Sequence, residues 1–154
     1  MRKHTVLMVF VLAFSLIIGI QVVTTQVMAI NIAEDVDIDP DTLNLKSNGK
    51  FVTVYIELLE GYDVADINLE TVRLEGIPAI TDSTYGFVKD PDLMDHDGDG
   101  ILERMVKFDR ATVINLLIQH MSPHAKQKVP LTLTGKLNDG TPFSGSDTIK
   151  VLSM

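Results

Sequence analysis

The chain alternates most regularly over residues 51–58, which read FVTVYIEL. Every second residue of this stretch is aliphatic, and successive side chains of a β-strand point to opposite faces of the sheet. We therefore expect a strand whose even-numbered residues, Val52 to Leu58, face the core. The odd-numbered residues, among them Tyr55 and Glu57, lie on the opposite face.

Short apolar stretches lie on both sides of this strand, and turn residues separate them at close intervals. One helix is expected at residues 109–119, because Val113 and Leu117 share a face and Asp109 can cap the start. The pattern predicts an all-β, immunoglobulin-like antiparallel β-sandwich with one short helix, and a small β-barrel is the alternative. Further strands are predicted at residues 36–38, 42–45, 71–74, 104–108, 129–137, 142–144 and 148–152, with weak pairing at 85–88.

The last predicted strand is expected to stand apart from the hairpin before it, because Gly145 and its serine neighbour read as a bend. Residues 148–152 would then offer an exposed edge to which a neighbouring molecule can add a strand. In the strand before the helix, we expect Arg104 to be more exposed than its core-facing neighbours.

The N-terminal segment reads as an export signal. A basic head, Arg2 and Lys3, precedes an apolar run and small residues at the cleavage position. We therefore expect a signal peptide at residues 1–29 and one domain at residues 30–154, secreted or at the cell surface. The alternative is that residues 6–23 stay uncleaved as an anchor, which would make this segment the chain's only contact with a membrane.

The composition argues against several classes of function. The chain of 154 residues has a net charge of −8, which argues against nucleic-acid binding, because that binding depends on basic contacts to phosphate. It contains no cysteine, which excludes disulfides, thiol catalysis and cysteine-based zinc or iron–sulfur sites. Stability must therefore come from core packing or from a bound metal ion.

The most acidic segment reads DPDLMDHDGDGILE at residues 90–103. Such a density of carboxylates repels itself unless a cation neutralises it. Asp95, Asp97 and Asp99 alternate around one centre, and the glycine that follows permits the sharp turn which this curl requires. We expect these three carboxylates and the backbone carbonyl of Ile101 to bind one ion, with the Ile101 side chain anchoring the loop in the core.

Calcium is the ion that this ligand set favours, because calcium takes about six to eight oxygen ligands in a flexible cage. Magnesium is the alternative, although its strict octahedral geometry suits an all-protein cage less well. The spacing is not that of an EF-hand, whose twelfth position would be Val106 here. Asp90, Asp92 and Asp109 are candidates for further ligands. A solvated acidic turn without an ion is the competing interpretation.

The loop resembles the calcium loops of integrin-type propeller repeats and other extracellular β modules, because a strand follows it and Glu103 occupies its ninth position. In such loops the acidic residue at the ninth position ligates the ion directly. The resemblance therefore implies Glu103 as a ligand.

The chain as a whole resembles a β-sandwich module of exported prokaryotic proteins. The resemblance implies export and a β-sandwich, often found in surface proteins beside dockerin-like or sorting segments, and it implies no defined activity. It is carried, in order, by VDIDP (36–40), LNLKSNG (43–49), the strand at 51–58, TVRL (71–74), the acidic loop, LTG (133–135) and DGTPFSGSDTI (139–149).

These observations favour a calcium-binding structural or interaction module that is not an enzyme, in which the ion stabilises the fold. Its partners would be calcium and surface proteins or glycans. The first alternative is a calcium-dependent adhesion module that binds a glycan or a protein, and another is a hydrolase. A hydrolase would need carboxylates whose pKa values are split within a cleft, and nothing in the sequence demands one.

The remaining candidate residues are interpreted as structural. His120 and His124 have the spacing of zinc ligands on a helix, but Pro123 between them breaks that geometry. His96 is expected to be solvated. The aspartates at 37, 39 and 41 are interpreted as facing the ion or capping a turn, not as a glycosidase pair.

Overall fold

The computed structural model describes residues 31–85, 93–119 and 126–153. Strands dominate these residues, and the prediction of a mostly β protein with one short helix is confirmed. The strands are β1 (Ala33–Asp39), β2 (Thr42–Asn44), β3 (Phe51–Leu58), β4 (Arg73–Leu74), β5 (Ile77–Pro78), β6 (Leu93–Met94), β7 (Glu103–Asp109), β8 (Lys126–Lys136) and β9 (Pro142–Leu152). Helix α1 covers Arg110–Ile118, and two 3-10 turns cover Val64–Asp66 and Leu69–Thr71. No helix among the described residues is long and apolar enough to cross a bilayer.

The strands form two sheets, one of which curls into a half-barrel. The four-stranded sheet has the order β1-β3-β7-β6, and its pairs are antiparallel. The five-stranded sheet has the order β2-β9-β8-β4-β5, in which β2 runs parallel to β9. The prediction of an antiparallel sandwich was therefore wrong at this pair. The predicted turn between β8 and β9 is confirmed, with Gly140 at a φ of 90°.

The core lies between the two sheets and is built from aliphatic side chains of both. The even-numbered residues of β3, Val52 to Leu58, are all buried, as the alternation predicts. The predicted inward residues of β4 and β8, Leu74 and Leu133 among them, are buried as well. Each buried aliphatic side chain contributes about 1.5–3 kcal/mol relative to its exposed state.

The prediction of a separate last strand was wrong. β9 runs without interruption from Pro142 to Leu152, and Gly145 lies within it, paired with Leu133. A Cβ atom at Gly145 would lie 2.3 Å from Cγ2 of Val36, so this glycine permits close packing of β1 on β9 and does not mark a bend.

The end of β9 is also not an exposed edge. Short strand β2 pairs with it, from Thr42 opposite Lys150 to Asn44 opposite Leu152. The expectation that a neighbour can add a strand along residues 148–152 was therefore wrong, because that hydrogen-bonding edge is already occupied. The segment with weak predicted pairing, 85–88, lies outside the described residues beyond Tyr85.

Arg104 is fully buried, which contradicts the expectation of an exposed side chain. The reason is the period of two along β7, which places Arg104 on the same face as the buried Val106 and Phe108. Helix α1 begins as predicted, because the carboxylate of Asp109 accepts a hydrogen bond of 2.8 Å from the backbone N–H of Thr112.

Candidate metal site

The acidic loop connects β6 to β7. Leu93 pairs with Arg104 and Met94 pairs with Glu103, so residues 95–102 form the connection of an antiparallel hairpin. The prediction that a strand follows the acidic loop is confirmed. Because both ends of the connection belong to the same sheet, its carboxylates are held at one end of the four-stranded sheet.

Asp95, Asp97 and Asp99 come together as the sequence predicts. One carboxylate oxygen from each lies within 4.8 Å of the others, and all three residues are exposed. Oxygens on opposite sides of a calcium ion are separated by about 4.8 Å, since each Ca–O bond is about 2.4 Å long. The three carboxylates are therefore close enough together to bind one hard cation.

The same carboxylates hold the loop in its curled shape. Asp95 accepts hydrogen bonds from the N–H groups of Gly98 (2.7 Å) and Gly100 (3.2 Å). Asp97 accepts from the N–H of Asp99 at 3.0 Å, and Asp99 accepts from that of Ile101 at 2.7 Å. Gly98 and Gly100 have φ values of 83° and 93°. Residues with a Cβ atom rarely adopt such values. The loop is thus curled by its own side chains, with the negative charges turned towards one region.

Glu103 lies at the base of the loop and is 6% exposed. Its Oε2 atom accepts a hydrogen bond of 2.8 Å from the backbone N–H of His96, which ties the start of the loop to its end. The group of three close carboxylates does not include Glu103. Its role as a direct ligand stays a prediction.

The Ile101 side chain does not anchor the loop in the core, and this part of the prediction was wrong. It is 46% exposed, because the loop projects past the end of the sheet and the buried strand begins only at Glu103. Together with Leu102 and Tyr62, it lines an open groove beside the loop. The proposed contribution of the Ile101 backbone carbonyl is independent of the side chain and stays a prediction.

Of the further candidate ligands, Asp109 lies too far from the acidic loop to bind the same ion. It lies at the opposite end of the seven-residue strand β7 from Glu103, a separation of about 20 Å, and its carboxylate caps α1. Asp90 and Asp92 lie outside the described residues, as do His120, Pro123 and His124.

His96 is exposed, as expected, but its ring also contacts the sheet. Its ring stacks on that of Tyr55 in β3, with centroids 3.6 Å apart and planes 8° from parallel. Its Nε2 atom lies 3.5 Å from Oδ2 of Asp37 in β1. Burial and the charge of Asp147 raise the pKa of Asp37, and the nearby His96 opposes this increase. The loop is therefore packed against the outer face of the four-stranded sheet.

Sequence reasoning missed Glu57 as part of this region. Its side chain is 9% exposed, on the face of β3 that the alternation assigns away from the core. Burial raises the pKa of Glu57, followed in order by the charges of Asp99, Glu34, Asp35 and Asp97. The odd position of Glu57 in the strand was visible in the sequence, but the influence of Asp99 and Asp97 on it was not.

No protein-family model, curated protein or solved structure matches this chain. The resemblance to exported β-sandwich modules and to propeller calcium loops therefore stays a prediction. The geometry itself shows a mostly β protein of two sheets, with an exposed cluster of three aspartates that could bind a metal ion.

Proposed function

We propose that this protein is an exported calcium-binding structural or interaction module, in which one ion stabilises the fold. The observation that carries the proposal is the convergence of Asp95, Asp97 and Asp99, whose oxygens lie within 4.8 Å of one another. The Ile101 carbonyl and Glu103 complete the protein ligands in this proposal. All of these donors are oxygens, which calcium prefers.

The proposed mechanism is ion-linked folding. Calcium cancels the repulsion among the loop carboxylates and cross-links the two ends of the β6–β7 hairpin. Calcium sites of extracellular modules have dissociation constants of about 10⁻⁴ to 10⁻³ M. At a free ion concentration one hundred times the dissociation constant, binding adds about 2.7 kcal/mol to the free energy of unfolding.

Export and a role other than catalysis belong to the same proposal. A signal peptide at residues 1–29 and a domain at residues 30–154 would deliver the chain to calcium-rich surroundings. The carboxylates of the site support a binding role, because they lie on an exposed hairpin connection and bond the loop's own amides.

The immunoglobulin-like sandwich is the finer part of the fold proposal. Two sheets that face each other support it, with Val36 of β1 packed against Gly145 of β9. The curl of one sheet into a half-barrel is the feature that the small-barrel alternative would share.

Calcium titration of the metal-free protein, by calorimetry and thermal melting, tests the proposal. The wild type is expected to bind about one ion and to melt at a higher temperature with calcium. An Asp97→Asn, Asp99→Asn variant is expected to do neither, because it keeps the loop's side-chain acceptors but loses two charges. Asp139→Asn is the matched control, since Asp139 makes the same kind of bond, to the N–H of Thr141 at 2.8 Å, in a different hairpin.

Absence of both heat and a melting shift up to about 10 mM calcium would refute the proposal, since that exceeds the affinity range of such sites. The loop would then be a solvated acidic turn. An equal response to magnesium would show that the site binds divalent cations in general and does not select calcium.

A second candidate function is calcium-dependent adhesion to a glycan or a protein. The observation that favours it is the open groove beside the loop, lined by the exposed side chains of Tyr62, Ile101 and Leu102. A bridging role requires an open coordination position on the ion. The luminescence lifetime of europium bound in place of calcium gives the number of coordinated waters. A number of waters near zero would eliminate this candidate.

A further inference from the structure

The outer face of the β8–β9 hairpin carries three lysines at one end. Lys128 pairs directly with Lys150, and Lys126 lies two residues before Lys128 on the same face of β8. Lys126 and Lys128 are exposed, and Lys150 is half-buried. Paired residues of neighbouring strands have Cβ atoms about 5 Å apart, and like charges directly opposite each other destabilise a sheet. The three ammonium groups therefore repel one another unless an anion lies between them.

The carboxylates that border the hairpin do not neutralise this lysine cluster. Asp147 accepts a hydrogen bond of 3.0 Å from a backbone N–H of β1, and Glu75 accepts one of 2.5 Å from a backbone N–H of β8. Asp41 contributes its backbone carbonyl, which accepts a hydrogen bond of 2.7 Å from the N–H of Lys150. Within the described part of the chain, none of these carboxylates forms an ion pair with a lysine of the cluster.

A buried cation adds to the positive charge at this end of the sheet. Arg110 is 6% exposed, and its Nη2 atom donates a hydrogen bond of 3.3 Å to the carbonyl oxygen of Asn44 in β2. β2 pairs with the end of β9 that carries Lys150. Burial lowers the pKa of Arg110, and no carboxylate among the described residues forms an ion pair with it. Because Arg110 follows β7 and the acidic loop precedes β7, the two regions of opposite charge lie at opposite ends of that strand.

Hydroxyl side chains occupy the middle of the same outer face. Within the described residues, none of these five hydroxyl groups makes a hydrogen bond to another residue. They belong to Thr132, Thr134, Ser144, Ser146 and Thr148. No outward residue of β8 or β9 is acidic or aromatic. The bases of single-stranded nucleic acids stack on aromatic side chains, so this face does not suit them. Hydroxyl groups both donate and accept hydrogen bonds, which suits the hydroxyls of a sugar.

We propose that the outer face of the β8–β9 hairpin binds an anionic polysaccharide. Its carboxylate or sulfate groups contact the lysine cluster, and its hydroxyls contact the serine and threonine side chains. The face from Lys126 to Thr134 is about 27 Å long, since a strand rises about 3.4 Å per residue. An extended polymer contacts the lysines and the hydroxyls together, whereas a single small anion contacts the lysines alone.

This surface is separate from the proposed calcium site. The acidic loop belongs to the four-stranded sheet, and the β8–β9 hairpin belongs to the five-stranded sheet. Binding of the polysaccharide is therefore expected without calcium, in contrast to the calcium-dependent adhesion considered for the groove beside the loop.

The test is calorimetric titration of the protein in calcium-free buffer of low ionic strength with heparin, polygalacturonate and neutral dextran. The wild type is expected to bind the two anionic polymers and not dextran. Added sodium chloride should weaken the binding, because salt screens exposed charges. Lys128→Gln, Lys150→Gln is expected to lower the affinity about tenfold, because each exposed ion pair contributes up to about fivefold.

The matched control is Lys136→Gln, which removes an exposed lysine from the same face of β8 at its other end. Its affinity should stay within about twofold of the wild type. The Lys128→Gln, Lys150→Gln variant should melt no lower than the wild type, because a pair of like charges is gone. Its loss of binding then reports a lost contact and not unfolding.

Three results would overturn the inference. The first is absence of binding to both anionic polysaccharides at low ionic strength. The second is unchanged affinity in Lys128→Gln, Lys150→Gln, because the contact would then lie elsewhere on the protein. The third is equal affinity for polyphosphate, which has no sugar hydroxyls, because charge alone would then account for the binding.

Discussion

Gly145 occupies the point at which β9 packs most closely on β1. A Cβ atom there would lie 2.3 Å from Cγ2 of Val36 and 3.3 Å from Cβ of Ala33. Contacts under 3 Å cannot be relieved without moving one of the two sheets or the Val36 side chain. We expect Gly145→Ala to lower the free energy of unfolding by about 1–3 kcal/mol, as overpacking in cores does. Denaturant unfolding at neutral pH measures it.

A double-mutant cycle with Val36→Ala gives this prediction its control. Val36→Ala removes the methyl groups that the new Cβ atom would strike, although by itself it leaves a cavity. The double variant should therefore lose less stability than the sum of the two single changes. Gly145→Ala with wild-type stability would show that the sheets can move apart at no cost.

Helix α1 depends on one capping residue at its start. Asp109 accepts hydrogen bonds from the hydroxyl and the backbone N–H of Thr112, which hold the pKa of Asp109 below its ordinary value of 3.8. Asp109→Ala should cost about 1 kcal/mol at neutral pH, the usual value for a lost N-cap. Urea unfolding of both proteins measures the difference.

The pH dependence of the capping effect has a defined sign. The fold favours the charged form of Asp109, so its contribution is complete above pH 3.8 and is lost as the pH falls through the lowered pKa. The difference between wild type and Asp109→Ala should therefore narrow below pH 3.8. Asp109→Asn, a neutral cap, is the control. A stability difference between wild type and Asp109→Ala that stayed constant across this pH range would contradict a charged cap.

The whole molecule should respond to pH in the opposite direction above pH 4.5, the ordinary pKa of a glutamate. Burial raises the pKa of both Glu57 and Asp37, so the folded state binds these protons more tightly than the unfolded chain does. Without metal, stability should therefore increase as the pH falls from neutral through the raised pKa of Glu57 towards its ordinary value of 4.5. Denaturant unfolding in chelator-treated buffer at several pH values measures this trend.

Calcium should flatten that trend. A bound ion compensates the carboxylates around Glu57, so their protonation no longer adds stability and instead competes with the ion. The metal-free and calcium-bound curves should therefore converge as the pH falls. Metal-free stability that decreases steadily from neutral pH towards 4.5 would contradict the prediction.

Much of the fold could be predicted because its signals are local. The alternation of β3 reports which side chains are buried, since a strand has a period of two wherever it lies. The cap and apolar face of α1, and the turn at Gly140, likewise depend on residues a few positions apart. The aspartates at 95, 97 and 99 were predictable as a cluster for the same reason, because one tight loop contains them all.

What the sequence by itself determined is therefore the position of most strands, the buried face of β3 and the acidic loop. It did not determine the short strands β5 and β6 or the continuity of β9. Only the tertiary structure decided that β2 covers the edge of β9 and that Gly145 packs against Val36. It also decided that His96 stacks on Tyr55 and that Glu57 lies buried beside the loop. These contacts join residues far apart in the chain, and their partners are selected by how two sheets pack in three dimensions, which no local pattern of side chains encodes.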